Sequence, residues 1–254
     1  MSSGGRSGLL RGGYVVRLTG TTMPLIYRCQ IELHDSLYFA TREIGRLYET
    51  EPVLHNYALC YALGLVDSEV YSTTVSEEHS YRYFCPEQVP KYEEHLIPLN
   101  QQGIYITPAR AINHTAILNT WKYANNNYHV EMEKTQKNIP SFGRAKEIAP
   151  ESRFEFFAIS QMPLKLPKWI RLGKWMSKAE VTVEEILKFK QSEGEFTFPH
   201  PLNPLDVMFS HQVMSYDVIN MPPVSLIQNV KIRGQYYEFD NLKIPAQMHY
   251  RFSR

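Results

Sequence analysis

Residues 25–33 alternate: Leu25, Tyr27, Cys29, Ile31 and Leu33 fall on one side, Ile26, Arg28, Gln30 and Glu32 on the other. Period-two alternation marks a strand with one buried face. A second extended stretch follows at 36–40. The spacing then changes. Val53, Leu54, Tyr57, Ala58, Tyr61, Ala62 and Leu65 recur at helical intervals, which predicts a helix over 52–63. Thr50 and Pro52 supply its opening, a capping residue and then proline in the first turn, and Gly64 its stop. His55, Leu59 and Leu63 on the other side make this helix mostly buried. Further strands are predicted at 103–107, 153–159, 179–183, 205–213, 215–219, 236–239 and 247–252. One helix among many strands implies an α+β fold, mainly antiparallel.

Three stretches depart from that pattern. Residues 67–95 hold seven Asp or Glu against Arg82 and Lys91. This is a solvated acidic surface, or a face that turns away from phosphate or meets a basic protein. From His114 to Pro150 the chain is polar with no clear period, and it mixes Trp121, Tyr123, Tyr128 and Phe142 with Lys122, Lys134, Lys137, Arg144 and Lys146. Excursions of this length are usually functional or disordered. The functional form is an arm or hairpin that wedges between nucleotides or docks on a neighbour. The third stretch, QMPLKLPKWIRLGKWMSK (161–178), carries Lys165, Lys168, Arg171, Lys174 and Lys178 with Trp169 and Trp175 and no acid. Cations neutralise phosphates and aromatic faces stack on unpaired bases. Gly173 would let backbone approach a phosphate closely. The alternative is a solvated loop whose tryptophans belong to the core.

The 254 residues, 43% of them hydrophobic, suffice for a sizeable core, and the net charge of +1 argues against a strongly basic DNA-coating protein. Cys29, Cys60 and Cys85 are odd in number and far apart, so neither a disulfide framework nor a C-x-x-C zinc site is expected, and a cytoplasmic setting fits. No apolar run approaches the length of a membrane span. The glycine-rich, acid-free residues 1–22 are expected to be a disordered leader or an artefact of an upstream start, with Met23 as the true start. No phosphate-cradling glycine loop, G-x-S-x-G or H-E-x-x-H occurs. His34-Asp35 is expected at a turn rather than in a metal site. An acid–base set for metal-independent RNA cleavage can be written from His34, Tyr38 and His114, but nine scattered His residues always allow such a set. No catalytic residue, metal or cofactor is expected.

Four segments, 24–65, PESRFEFFAI (150–159), WIRLGKWMSKAEV (169–181) and HPLNPLD (200–206), together resemble the Csc-type small RAMP subunit, of the Cas five family, in the subtype I-D CRISPR Cascade. The resemblance runs from about Met23 to the C-terminus. It implies a ferredoxin-like, RRM-related RAMP domain over 23–200, a thumb hairpin inserted at about 114–150 and a smaller C-terminal β region over 201–254. It implies a non-catalytic subunit that caps the 5′ handle of the CRISPR RNA. Its partners would be the backbone RAMP subunits, the large subunit and target DNA beside the PAM, with no membrane. By position it nominates Lys165, Lys168, Arg171, Lys174, Trp175 and Lys178 from the basic segment. From the thumb it nominates Lys122, Tyr123, Lys137 and Arg144. The glycine-rich loop that many RAMP proteins carry near the C-terminus has only a weak substitute here, VKIRGQYYEF (230–239). The alternative from another class is a metal-independent RAMP endoribonuclease acting on repeat RNA. A scaffold that binds only protein is the third.

Overall fold

The computed structural model describes residues 23–66, 90–123 and 141–252. The alternating stretch is strand β1 (Leu25–Leu33), central in a seven-stranded sheet of the described residues. It pairs antiparallel with β9 (Arg153–Ser160) on one side and with β11 (Ser177–Glu185) on the other. Beyond β11 lies β10 (Trp169–Leu172). On the far side, β5 (Ile104–Ile106) and β6 (Ala109–Asn113) both pair with β9, and β4 (Val53–Leu54) closes the edge on β6.

Residues paired across strands share a sheet face. Cys29 with Phe156, Ile31 with Phe154 and Val181, and Leu33 with Ala179 make the apolar face. All are buried, in one core with Leu59 and Cys60 of helix α1 (Asn56–Ala62) and Leu96 and Leu99 of α2 (Tyr92–Gln101). The other face carries Gln30, Glu32, Arg153, Lys178, Glu180, Trp169 and Arg171. One end of it, at Ile26 and Phe157, is covered by a four-stranded sheet of β12 (Lys190–Phe198), β13 (Gln212–Ile219), β14 (Leu226–Phe239) and β15 (Leu242–Pro245). The Phe239 ring lies 5.8 Å from that of Phe157, and the His200 ring lies 5.1 Å from it. A third sheet, in the order β2 (Arg42–Ile44), β3 (Leu47–Glu49), β8 (Ser141–Ile148) and β7 (Ala116–Tyr123), has β3 and β8 parallel and the other pairs antiparallel.

Several expectations need correction. The polar excursion contributes two paired strands of eight residues, and its middle, 124–140, lies outside the described residues. The helix expected from 52 begins at Asn56 because Val53 and Leu54 are drawn into pairing with Arg110 and Ala109. His55 then caps it, accepting the Tyr57 amide at 3.2 Å. Gly64 does end it, at φ 68°. There are three helices among the described residues, not one. α2 lies partly within the acidic stretch, whose residues 67–89 are outside the described set. The strand expected at 205–213 is broken: Asn203 caps the short helix α3 (Pro204–Val207), and β13 starts only at Gln212. Residues 236–239 are the end of the fourteen-residue β14, which β12 pairs from Val230 to Glu238 and β13 from Leu226 onward. No strand forms at 247–252. There the Asn100 side chain stands in for a neighbouring strand, accepting the Tyr250 amide and donating to its carbonyl, both at 2.9 Å. Residues 36–40 are extended but make one bridge, Leu37 to Ile148.

Candidate nucleic-acid interface

The basic run folds as a hairpin. β10 and β11 pair Trp169 with Glu180 and Arg171 with Lys178, which puts these four side chains on the open sheet face. The turn between the strands requires Gly173. Its φ is +74°, and a Cβ there would stand 2.7 Å from the Tyr38 carbonyl oxygen. The glycine therefore lets the turn press against the chain's own backbone, and the Lys174 amide donates to that carbonyl at 2.9 Å. Met176, at φ 55°, completes the reversal.

Two aromatic clusters flank this hairpin. On the open face the Lys178 ammonium lies 4.1 Å from the Trp169 ring centroid, and the His34 ring packs edge-on against the same indole at 5.0 Å. An ammonium over an indole face is attracted by the ring's quadrupole. At the hairpin tip, Trp175 stacks on Tyr38 at 4.5 Å and meets Trp121 of β7 edge-on at 5.2 Å. Trp169, Trp175 and Trp121 remain 43%, 45% and 51% exposed, so all three keep surface for a ligand. The arm and the hairpin thus meet at Trp121, a contact across 54 positions that no local sequence pattern signals.

The run has no acid of its own, yet the fold brings two to it. Lys168 pairs with Glu180 at 3.2 Å, and Arg171 with Asp35 at 3.8 Å while donating to the Met176 carbonyl at 3.0 Å. Lys168, Arg171 and Asp35 are exposed and Glu180 half-buried; exposed pairs contribute about 1 kcal/mol or less, so a phosphate can displace the Asp35 carboxylate cheaply. Among the described residues Lys165, Lys174 and Arg144 have no ion pair; all three are exposed. On the arm, Arg144 is paired with Thr120, and Trp121 with Gly143. Successive strand residues point to opposite faces, so Arg144 lies on the face of the third sheet turned away from Trp121 and the hairpin tip. Lys122 and Tyr123 are paired with Phe142 and Ser141 at the end of the described strands, and Lys137 lies outside the described residues.

His34, Tyr38 and His114 do not assemble. His34 contacts Trp169 and Glu180, Tyr38 contacts Trp175, and no hydrogen bond links any two of the three among the described residues. Among the same residues no group of His, Cys, Asp or Glu is placed to hold a metal ion, and no helix is long and apolar enough to cross a membrane. Asp35 accepts the Lys178 amide at 2.9 Å, which fixes the turn expected at His34-Asp35.

Solved structures similar to the chain include the type III-B Cmr-beta complex bound to cognate target RNA. There the identity is 14%, 65% of this chain and 61% of the other are covered, and the TM-score is 0.40. The chain therefore spans less than two thirds of that relative. A CRISPR protein from Archaeoglobus fulgidus matches at 12% identity over 86% of this chain and 98% of its own, with a TM-score of 0.41. No curated protein matches. A family model described as type I-D CRISPR-associated protein Cas5/Csc1 matches residues 24–253, nearly the whole chain. The chain belongs to the type I-D CRISPR Cas5/Csc1 family.

Proposed function

We propose that this chain is a non-catalytic, cytoplasmic subunit of a type I-D CRISPR effector complex that grips the 5′ handle of the CRISPR RNA with its β10–β11 hairpin. Family membership supports the assignment to such a complex. The observation that carries the RNA reading is the hairpin itself. Arg171, Lys174 and Lys178 lie on the hairpin and Lys165 and Lys168 in the segment that leads into it, with Trp169 on its open face and Trp175 at its tip. A single-stranded RNA end offers phosphates, splayed bases and 2′-hydroxyls, so backbone contacts and stacking suffice to hold it. Base pairing by the guide then reads the target, and the subunit helps hold the duplex beside the PAM. Backbone subunits and the large subunit take the remaining surfaces.

The strand order β11-β1-β9-β5, with α1 in the β1-to-β5 crossover, supports a ferredoxin-like RAMP reading. The connection from β9 to β11 carries β10 where that fold has its second helix. The β2-β3-β8-β7 sheet is then the base of the thumb, and β12–β15 the smaller C-terminal β region. Lys122, Tyr123, Lys137 and Arg144 remain the thumb's contacts, Arg144 reaching only a phosphate on the face away from the hairpin.

The test is co-purification of the assembled complex with wild-type chain and with Arg171→Glu plus Lys174→Glu. The double variant should assemble but retain less RNA, and the salt dependence of binding short single-stranded RNA should flatten by about 0.7 in log–log slope per lost phosphate contact. Unchanged RNA retention and slope would favour a protein-only scaffold. Metal-independent cleavage of repeat RNA, lost in a His34→Ala variant, would favour an endoribonuclease.

A further inference from the structure

Behind the hairpin tip lies a cavity of about 250 Å³, where residues 39–41, α1, α2 and the loop before β14 meet. That is close to the lower end of small-molecule sites, about 300 Å³. Its walls are aromatic and aliphatic: Phe39, Tyr92, Val53, Ala58 and Met221. Beside the Tyr92 hydroxyl, two neutral polar side chains line it, His55 and Thr41, and both are already used by the fold. The His55 Nδ1 accepts the Tyr57 amide at 3.2 Å, and its Nε2 faces the Val224 carbonyl at 3.1 Å. The Thr41 hydroxyl donates to the Glu49 carbonyl at 2.9 Å and accepts the Glu51 amide at 2.8 Å. Among the described residues no acid lines the cavity, and the one cation that does is Lys174, which is exposed. The position of Lys174 is fixed, because its amide is bonded to the Tyr38 carbonyl next to the wall residue Phe39.

We infer that this cavity takes one unstacked base of the bound RNA, with the adjoining phosphate on Lys174, and that it does so without reading the base's identity. The proposal rests on the RNA reading above. An apolar slot with one cation at its mouth suits a planar ring joined to an anion. Base reading needs free donors and acceptors aimed at a base edge. His55 uses both ring nitrogens and Thr41 its one donor, so among the described side chains of the lining the Tyr92 hydroxyl is the one free neutral donor, too few to tell four bases apart.

The probe is a set of short single-stranded RNAs matching the 5′ end of the RNA recovered with the complex, each abasic at one position. They are bound to the intact chain and to Ala58→Phe, which fills the cavity; Ala40→Phe, elsewhere in the lining, serves if the first variant melts early. Stacking one base on aromatic side chains is worth a factor of about 5 to 160 in affinity. One abasic position should therefore weaken binding to the wild-type chain by that factor. Exchange of the base there among A, C, G and U should change it less than about threefold. In the filled variant the same abasic site should make no further difference, while the salt slope stays as in the wild type. A flat abasic scan with the salt slope intact overturns the base pocket and leaves the RNA grip standing. Loss of salt-dependent binding altogether overturns both. If the filled variant sheds a protein subunit while keeping full RNA affinity, the cavity is a socket for protein and the proposal is wrong.

Discussion

Replacing Asp206 by Asn tests whether the 200–206 segment is internal scaffold. The Asp206 side chain is 1% exposed. Its Oδ2 accepts from the Tyr105 hydroxyl and the Asn56 amide, both at 2.9 Å, and its Oδ1 accepts the Arg251 amide at 3.2 Å. The carboxyl thereby ties α1, β5, α3 and the C-terminal segment together. Burial outweighs these three donors and raises its pKa from 3.8 to about 7. At about 1.4 kcal/mol per tenfold in proton affinity, ionising it costs the folded chain roughly 4 kcal/mol more than the unfolded chain. The sign follows from proton binding. The folded state holds the proton more tightly, so this contribution is fully present below 3.8 and is lost as the pH rises to about 7. His55 acts the other way: burial lowers it from 6.5 to about 4, so the folded chain gains roughly 3 kcal/mol as the pH rises through that window. The two nearly cancel in acid, and a wild-type profile alone would hide both. Urea unfolding of the wild-type chain and of Asp206→Asn, from about pH 5 to pH 8, separates them. The wild-type chain should lose roughly 3 kcal/mol relative to the variant across that range, since Asn cannot ionise. Any cost of the amide's misplaced donor is a constant offset. A difference curve that is flat with pH, or rises, would refute the buried-carboxyl argument.

Three other outcomes follow from the hairpin and the arm. Gly173→Ala forces a left-handed residue and a Cβ 2.7 Å from the Tyr38 oxygen, so it should lower stability by more than about 1 kcal/mol in a thermal melt and weaken RNA retention. Gly143→Ala on β8, with nothing within 4 Å of the added carbon, should leave both near wild type. Trp121→Ala removes the edge contact to Trp175 but not the Tyr38 stack. It should cost about 1 kcal/mol and make Trp175 fluorescence more accessible to a soluble quencher, and unchanged quenching would show that arm and tip do not touch in solution.

The sequence displays most clearly what depends on near neighbours. β1 was legible because one face of it is core and the other polar, and the hairpin's cations are adjacent in the chain. Asp35 and Glu180 as their counter-charges were not, because pairing across sheet edges supplies them. α2 was obscured by the acids before it and by Pro98 inside it. At 203–207 the signals for a helix, Asn203 as cap and Pro204 in the first turn, were present, but apolar Leu205 and Val207 read equally as alternation. At 248–252 the alternation of Met248, Tyr250 and Phe252 is real burial without a partner strand, because the Asn100 side chain takes the partner's role.

The segments that carry the family resemblance do two different jobs. In HPLNPLD, His200 and Asn203 are 0% exposed and Asp206 1%, so these polar side chains are closed off from outside. Its polar residues are spent on the fold: His200 against Glu155 at 3.2 Å, Asn203 on the α3 cap, Asp206 on the hub. In WIRLGKWMSKAEV the apolar positions Ile170, Leu172, Ala179 and Val181 are the buried ones, and Trp169, Arg171, Lys174, Trp175 and Lys178 are left to face outward. The second segment can present charge on its turn because Gly173 and the Tyr38 carbonyl lock that turn to the extended segment at 36–40. A rigid base under long, mobile cations suits a ligand whose backbone is regular and whose bases vary. It also explains why the arm's Trp121, which touches the tip, belongs with the hairpin, while Arg144, one residue out of register with it, serves the opposite face.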